Sequence, residues 1–176
     1  KIWQQAVEVS MREFDEMYSK LNITFKNMNG ESVYEEMIPG IVGELKSGGV
    51  AVYGEKNALI VKFEKDGKEY MPPAMVMKSD GATTYLMRDL ATIQKRFLDK
   101  NLKSDLYIYE VGAEQQLHFR QVFETAKMLW PDETKNIQFK HVAHGLLTLP
   151  EGKMSTRKGN TIKVEDLIMR AEEESF

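Results

Sequence analysis

Asp105-Leu106-Tyr107-Ile108-Tyr109-Glu110-Val111-Gly112 reads as a β-strand, and Glu114 to Trp130 behind it reads as a helix closed by Pro131. Ile137 to Leu149 then reads largely as a second strand, and Val164 to Glu174 as a further helix. Strand, helix, strand, loop and helix in that order call for a parallel sheet with helices on its faces, because parallel neighbours need a crossover between them. The fold class is therefore α/β.

Upstream of this stretch the pattern changes twice. Ser10 and Glu13 form a capping-box pattern ahead of Phe14, Tyr18 and Leu21, which with Met11 fall on one helical face. Asn22 to Phe25 is a short extended piece and Asn27 to Gly30 is turn-like. Ser32 and Glu35 repeat the capping pattern before Met37, Ile38, Ile41, Val42 and Leu45, with Pro39 expected to kink that helix or delay its start and Gly48-Gly49 to end it. Val50 to Tyr53, Ala58 to Phe63 and Glu69 to Met77 read as strands, with Asp66-Gly67 as the hairpin turn and Pro72-Pro73 marking an edge. A helix plus an antiparallel hairpin is foreign to an alternating α/β chain, so residues 34–78 read as an inserted subdomain between segments 1–33 and 79–176. Leu86, Leu90, Ile93 and Phe97 then mark the buried face of a helix ending near Asn101.

The 176 residues, 42% of them hydrophobic, suffice for a real core and about one domain. A net charge of −3 gives no global basic field for nucleic acid, so an RNA partner would have to be met by local patches or by parts of the protein outside this chain. There is no cysteine, which removes disulfide and thiolate–zinc frameworks. No apolar run approaches a membrane span and no signal-peptide pattern opens the chain, so a cytoplasmic protein is expected. The start at Lys1 and the stop at Phe176, just past the last helical pattern, read as the ends of a piece of a longer polypeptide.

Three places carry chemistry. Tyr85 and Asp89 are four apart on a helix, which sets a hydroxyl beside a carboxylate, a pair suited to the planar, forked donors of a guanidinium, although a helix-surface aspartate paired with its neighbours has the same spacing and is the commoner case. Val111-Gly112-Ala113-Glu114-Gln115-Gln116-Leu117-His118-Phe119 lies where a strand hands over to a helix N-terminus, the usual ligand crevice of open α/β sheets, although Gln115 and Gln116 could equally be plain exposed helix residues. Lys153-Met154-Ser155-Thr156-Arg157-Lys158-Gly159-Asn160 crowds cations, hydroxyls and a glycine into a short loop suited to polyphosphate, although a solvated basic loop has the same composition. His118 reads as a packed or capping histidine. His141 and His144 are three apart on a strand, hence on opposite faces, and no metal site is expected there.

The last loop resembles the KMSKS signature of class I aminoacyl-tRNA synthetases, with Thr156 where the second lysine usually stands. Lys78-Ser79-Asp80-Gly81-Ala82-Thr83-Thr84-Tyr85-Leu86-Met87-Arg88-Asp89-Leu90-Ala91 resembles the stretch that identifies arginyl-tRNA synthetases, and the blocks 111–119 and 141–167 follow in that family's order. The resemblance implies the C-terminal half of a Rossmann-like catalytic domain, with helices on both faces of its sheet. It implies arginine binding by Tyr85, Asp89 and Gln115, and ATP contacts from Gly112, Glu114, His144, Gly145, Leu146, Lys153, Met154 and Ser155. Lys153 and Ser155, with Arg157 or Lys158 supplying the charge missing at Thr156, would serve the transfer step.

ATP enters in this reading as a substrate with Mg2+, tRNA(Arg) as a partner of the full-length protein, and the protein as a monomer. The His-x-Gly-His motif that pairs with the KMSKS loop in class I enzymes occurs nowhere in these residues, so the chain alone is expected to be inactive. Two alternatives stand beside this reading: a synthetase-like paralogue that binds nucleotide or RNA without catalysis, and a class I enzyme that activates another amino acid. The presence of Asp89 and Gln115 disfavours the first.

Overall fold

A computed structural model describes residues 2–145, 148–149, 152–153 and 162–175. The chain divides into two compact units, Lys1–Asn29 with Leu147–Phe176, and Gly30–Leu146. The first holds α1 (Ile2–Lys20), the short strands β6 (Thr148–Leu149) and β7 (Gly152–Lys153), which pair antiparallel, and α6 (Val164–Glu174). In α1 the ring of Tyr18 bridges Phe14 at 6.3 Å and Phe25 at 4.7 Å. The capping box expected at Ser10 does not form, because the helix already starts at Ile2 and the amides near Ser10 are internal to it.

The second unit begins with a 3₁₀ turn, Glu31–Met37, and α2 (Ile38–Ser47). Ser32 and Glu35 do not cap α2 as expected, since Pro39 is accommodated only in the first turn of a helix and the start is delayed to Ile38. Glu35 is used elsewhere, accepting from Arg88 at 2.9 Å. The helix ends at Gly48, and Gly49 takes a positive φ of 67°, as the sequence pattern requires.

Strands β1 (Ala51–Tyr53), β2 (Leu59–Lys65) and β3 (Lys68–Met77) follow in an antiparallel sheet ordered β1-β2-β3. Asp66 and Gly67, at φ 53° and 73°, make the tight turn between the last two. β3 is an edge, as Pro72 and Pro73 demand, and their carbonyls accept from the Gln121 amide at 2.8 and 3.4 Å.

Next come α3 (Tyr85–Leu98), β4 (Leu106–Gly112), α4 (Gln116–Leu129), the short α5 (Pro131–Thr134) and β5 (Gln138–His144). β4 and β5 pair in parallel from Leu106↔Gln138 to Gly112↔His144. Helix α4 between them is the crossover that the sequence called for, and the α/β class stands. The single strand expected over 137–149 is instead broken after His144. Thr148–Leu149 pairs with Gly152–Lys153.

One apolar core runs through the whole unit, from Ile41, Leu45, Phe63 and Val76 to Leu90, Ile93, Val122 and Ala126. The Trp130 indole closes its far side, packing on Phe97 at 5.2 Å and donating to Glu44 at 2.7 Å.

Candidate active site

The parallel strands end side by side, Gly112 opposite His144. From Gly112 the chain turns through Ala113–Gln115 into α4, so the carboxyl end of β4 and the amino end of α4 meet at one corner. A Cβ on Gly112 would lie 2.5 Å from the Glu114 carboxylate, so any side chain at this position would displace that of Glu114. Glu114 and Gln115 are exposed at the turn.

Across the corner, His144 is hydrogen-bonded to Glu110, both exposed, and Gly145 follows in the open. His141 points to the other face, as the strand period requires, where its Nε2 donates to the Val111 carbonyl at 3.0 Å and its ring lies 5.2 Å from Phe119. Among the described residues no group of three or more His, Asp or Glu is placed to hold a metal ion.

Helix α3 brings the second set. Tyr85 opens it and stays 69% exposed, with the Arg88 guanidinium 5.6 Å from its ring. Arg88 in turn is tied to Glu35 at 2.9 Å and Glu31 at 3.4 Å. One turn on from Tyr85, Asp89 accepts through Oδ2 from His118 Nε2 at 2.6 Å, both side chains being less than a third exposed. A carboxylate can only accept, so His118 must carry a proton on Nε2.

This contact joins α3 to the first turns of α4, with Gln115 one turn before His118. The sequence did not reveal it, for the two residues are 29 positions apart and only the packing of α3 on α4 makes them neighbours. Of the remaining expected residues, Leu146, Met154, Ser155, Arg157 and Lys158 lie outside the described residues, and Lys153 falls in β7 of the other unit.

Beneath the corner, Tyr109 of β4 is packed between Phe119 and Phe123, each at 5.2 Å, under the Arg96 guanidinium at 4.8 Å. Its hydroxyl is buried and finds no hydrogen-bond partner among the described residues. Burial pushes its ionisation well above the ordinary tyrosine range, with Arg96 opposing and Asp89 adding to the rise. The folded state thus holds this proton after the unfolded chain has released it, and the contribution to stability is lost as the pH rises above about 10. Tyr109→Phe should leave stability at pH 7 unchanged or slightly higher and flatten its alkaline fall, as read by denaturant titration across pH.

The family described as tRNA synthetases class I (R), catalytic domain, matches residues 1–176. The chain belongs to this family of arginyl-tRNA synthetase catalytic domains. It is 38% identical over 180 residues to the arginine–tRNA ligase of Clostridium botulinum strain Hall, covering 100% of this chain and 30% of that protein. The arginine–tRNA ligase of Chloroflexus aurantiacus strain J-10-fl is 34% identical over 169 residues, covering 96% of this chain and 28% of that protein. Among solved structures, the arginyl-tRNA synthetase from Plasmodium falciparum superposes with a TM-score of 0.69 at 26% identity, covering 98% of this chain and 29% of that one. The chain thus spans about 30% of the length of the curated relatives it matches.

Proposed function

We propose that this chain is part of the catalytic domain of an ATP-dependent arginine–tRNA ligase, with residues 34–78 inserted between segments 1–33 and 79–176. The observation that carries the reading is Asp89. It is a partly buried carboxylate whose neighbouring cation, Arg88, is already paired with Glu31 and Glu35, and it lies one helical turn from the exposed Tyr85 hydroxyl. A second guanidinium, that of the substrate, would find there a forked acceptor and a flanking phenol. Gln115, at the adjoining start of α4, would take a further contact with arginine.

Gly112 and Glu114 would meet the ATP ribose, and His144, Gly145 and Leu146 the adenine. Lys153, Met154, Ser155, Arg157 and Lys158 would follow charge on the phosphates. The arginine carboxylate attacks the α-phosphorus of ATP, the bond to the β,γ-diphosphate breaks, and arginyl-adenylate and pyrophosphate form. A terminal ribose hydroxyl of tRNA(Arg) then takes the arginyl group, loses its proton and releases AMP. No bond to the protein forms in either step, so rate depends on positioning and on preorganised charge. Magnesium arrives with ATP, as is usual where phosphates supply its ligands. The protein is read as a cytoplasmic monomer, and among the described residues no helix is long and apolar enough to cross a membrane.

The test is amino-acid-dependent ATP–pyrophosphate exchange with tRNA present. The whole protein should exchange with arginine alone among the standard amino acids, and the 176-residue chain by itself should not exchange, having no His-x-Gly-His motif. Exchange by the whole protein with a different amino acid overturns the assignment of substrate. Exchange by the isolated chain overturns its dependence on the rest of the protein.

A further inference from the structure

We propose that His118 is a positioning residue for arginine recognition: its Nε2–H holds Oδ2 of Asp89 and so fixes the plane in which the carboxylate meets a guanidinium. The inference rests on the reading of Asp89 as the guanidinium partner and adds the group that aims it.

An aspartate near the start of a helix turns freely about its side-chain bonds, whereas a forked pairing needs both oxygens held in one plane with the incoming nitrogens. The 2.6 Å bond removes that freedom and engages Oδ2 from one side only, so Oδ1 stays outside it. The donor is itself fixed. The His118 ring stands edge-on to Phe119 at 5.2 Å, and Phe119 is buried against Tyr109, Phe123 and His141. On the other side, α3 is anchored by Leu86, Leu90 and Ile93, all in the core. Both ends of the bond therefore rest on packed elements, as a preorganised site requires. A single ring N–H at this place orients the carboxylate through one oxygen, whereas a lysine or arginine here would bring a permanent charge that competes with the substrate.

The experiment uses the whole protein and reads arginine KM, ATP KM, kcat and melting temperature in pyrophosphate exchange. His118→Ala should raise the arginine KM about ten- to a hundredfold, the range for a lost hydrogen bond to a charged group, with ATP KM and kcat within about twofold. His118→Gln, whose amide can donate to the same oxygen, should restore most of the loss. Should His118→Ala not fold, His118→Leu, which keeps bulk without a donor, carries the same expectation. An unchanged arginine KM in the donor-less variant, or a fall in melting temperature with no rise in arginine KM, overturns the proposal and leaves His118 as a staple between helices. Loss of arginine binding in Asp89→Ala alongside an unaffected His118→Ala refutes the role of His118 alone. An unaffected Asp89→Ala refutes the reading beneath it.

Discussion

Asp89→Ala in the whole protein should weaken arginine binding by about two to three orders of magnitude while ATP binding stays within about twofold. The size follows from the chemistry of the pair: removing one partner of a desolvated, hydrogen-bonded charge pair costs about 2–5 kcal/mol, each 1.4 kcal/mol being tenfold. Asp89 is 29% exposed, so the solvent that remains on it argues against the top of that range. No nearby acid can stand in. Glu31 and Glu35, which meet the same helix, are held by Arg88, and Glu110 is engaged with His144 at the strand end. Asp89→Asn should lose nearly as much as Asp89→Ala, because it keeps an acceptor for His118 but not the charge. Equilibrium dialysis with labelled arginine and with ATP checks both halves, and unchanged arginine affinity would remove Asp89 from the site.

What the sequence showed of this site follows from what is local. Tyr85 and Asp89 are a turn apart on one helix, so their adjacency is a matter of helical period, and the strand-to-helix handover at Gly112 is a matter of element order. The Asp66-Gly67 turn and the edge position of β3 were legible for the same reason, since positive φ and missing N–H groups are written in single residues. The Asp89–His118 bond and the Arg96 guanidinium over Tyr109 were not, because both depend on how α3 lies against α4 and β4. The failed capping boxes teach a related lesson. Ser10 and Ser32 have the right neighbours three residues on, but whether a serine caps depends on where its helix starts, and that was decided upstream of one and by Pro39 for the other.

Phe63→Ala should destabilise the protein by about 3–5 kcal/mol, and the loss should reach helices that Phe63's own sheet does not contain. Phe63 is fully buried in β2, the central strand, where it is paired in register with Met71 and its ring lies 6.3 Å from Tyr70. Helix α2 and strands β2 and β3 contribute Ile41, Leu45, Phe63 and Val76 to the same apolar cluster as Leu90 and Ile93 of α3 and Val122 and Ala126 of α4. Polar ties cross the same boundary, with Gln121 of α4 donating to Pro72 and Trp130 donating to Glu44. A void opened in β2 is therefore a void in a shared core, and close-packed interiors do not confine such strain to one side. Residues 34–78, proposed above as an insertion in chain order, are thus expected to unfold together with the rest of their unit. Native-state hydrogen exchange checks it: in Phe63→Ala the amides of Leu90 and Val122 should lose protection together with those of β2. Loss confined to β1, β2 and β3, with α3 and α4 protected as before, would mean that residues 34–78 open on their own. The proposed arginine site on α3 would then be insulated from residues 34–78. With the shared core, Glu35 of the 3₁₀ turn holds Arg88 beside Asp89, so weakening residues 34–78 should also loosen the proposed arginine corner.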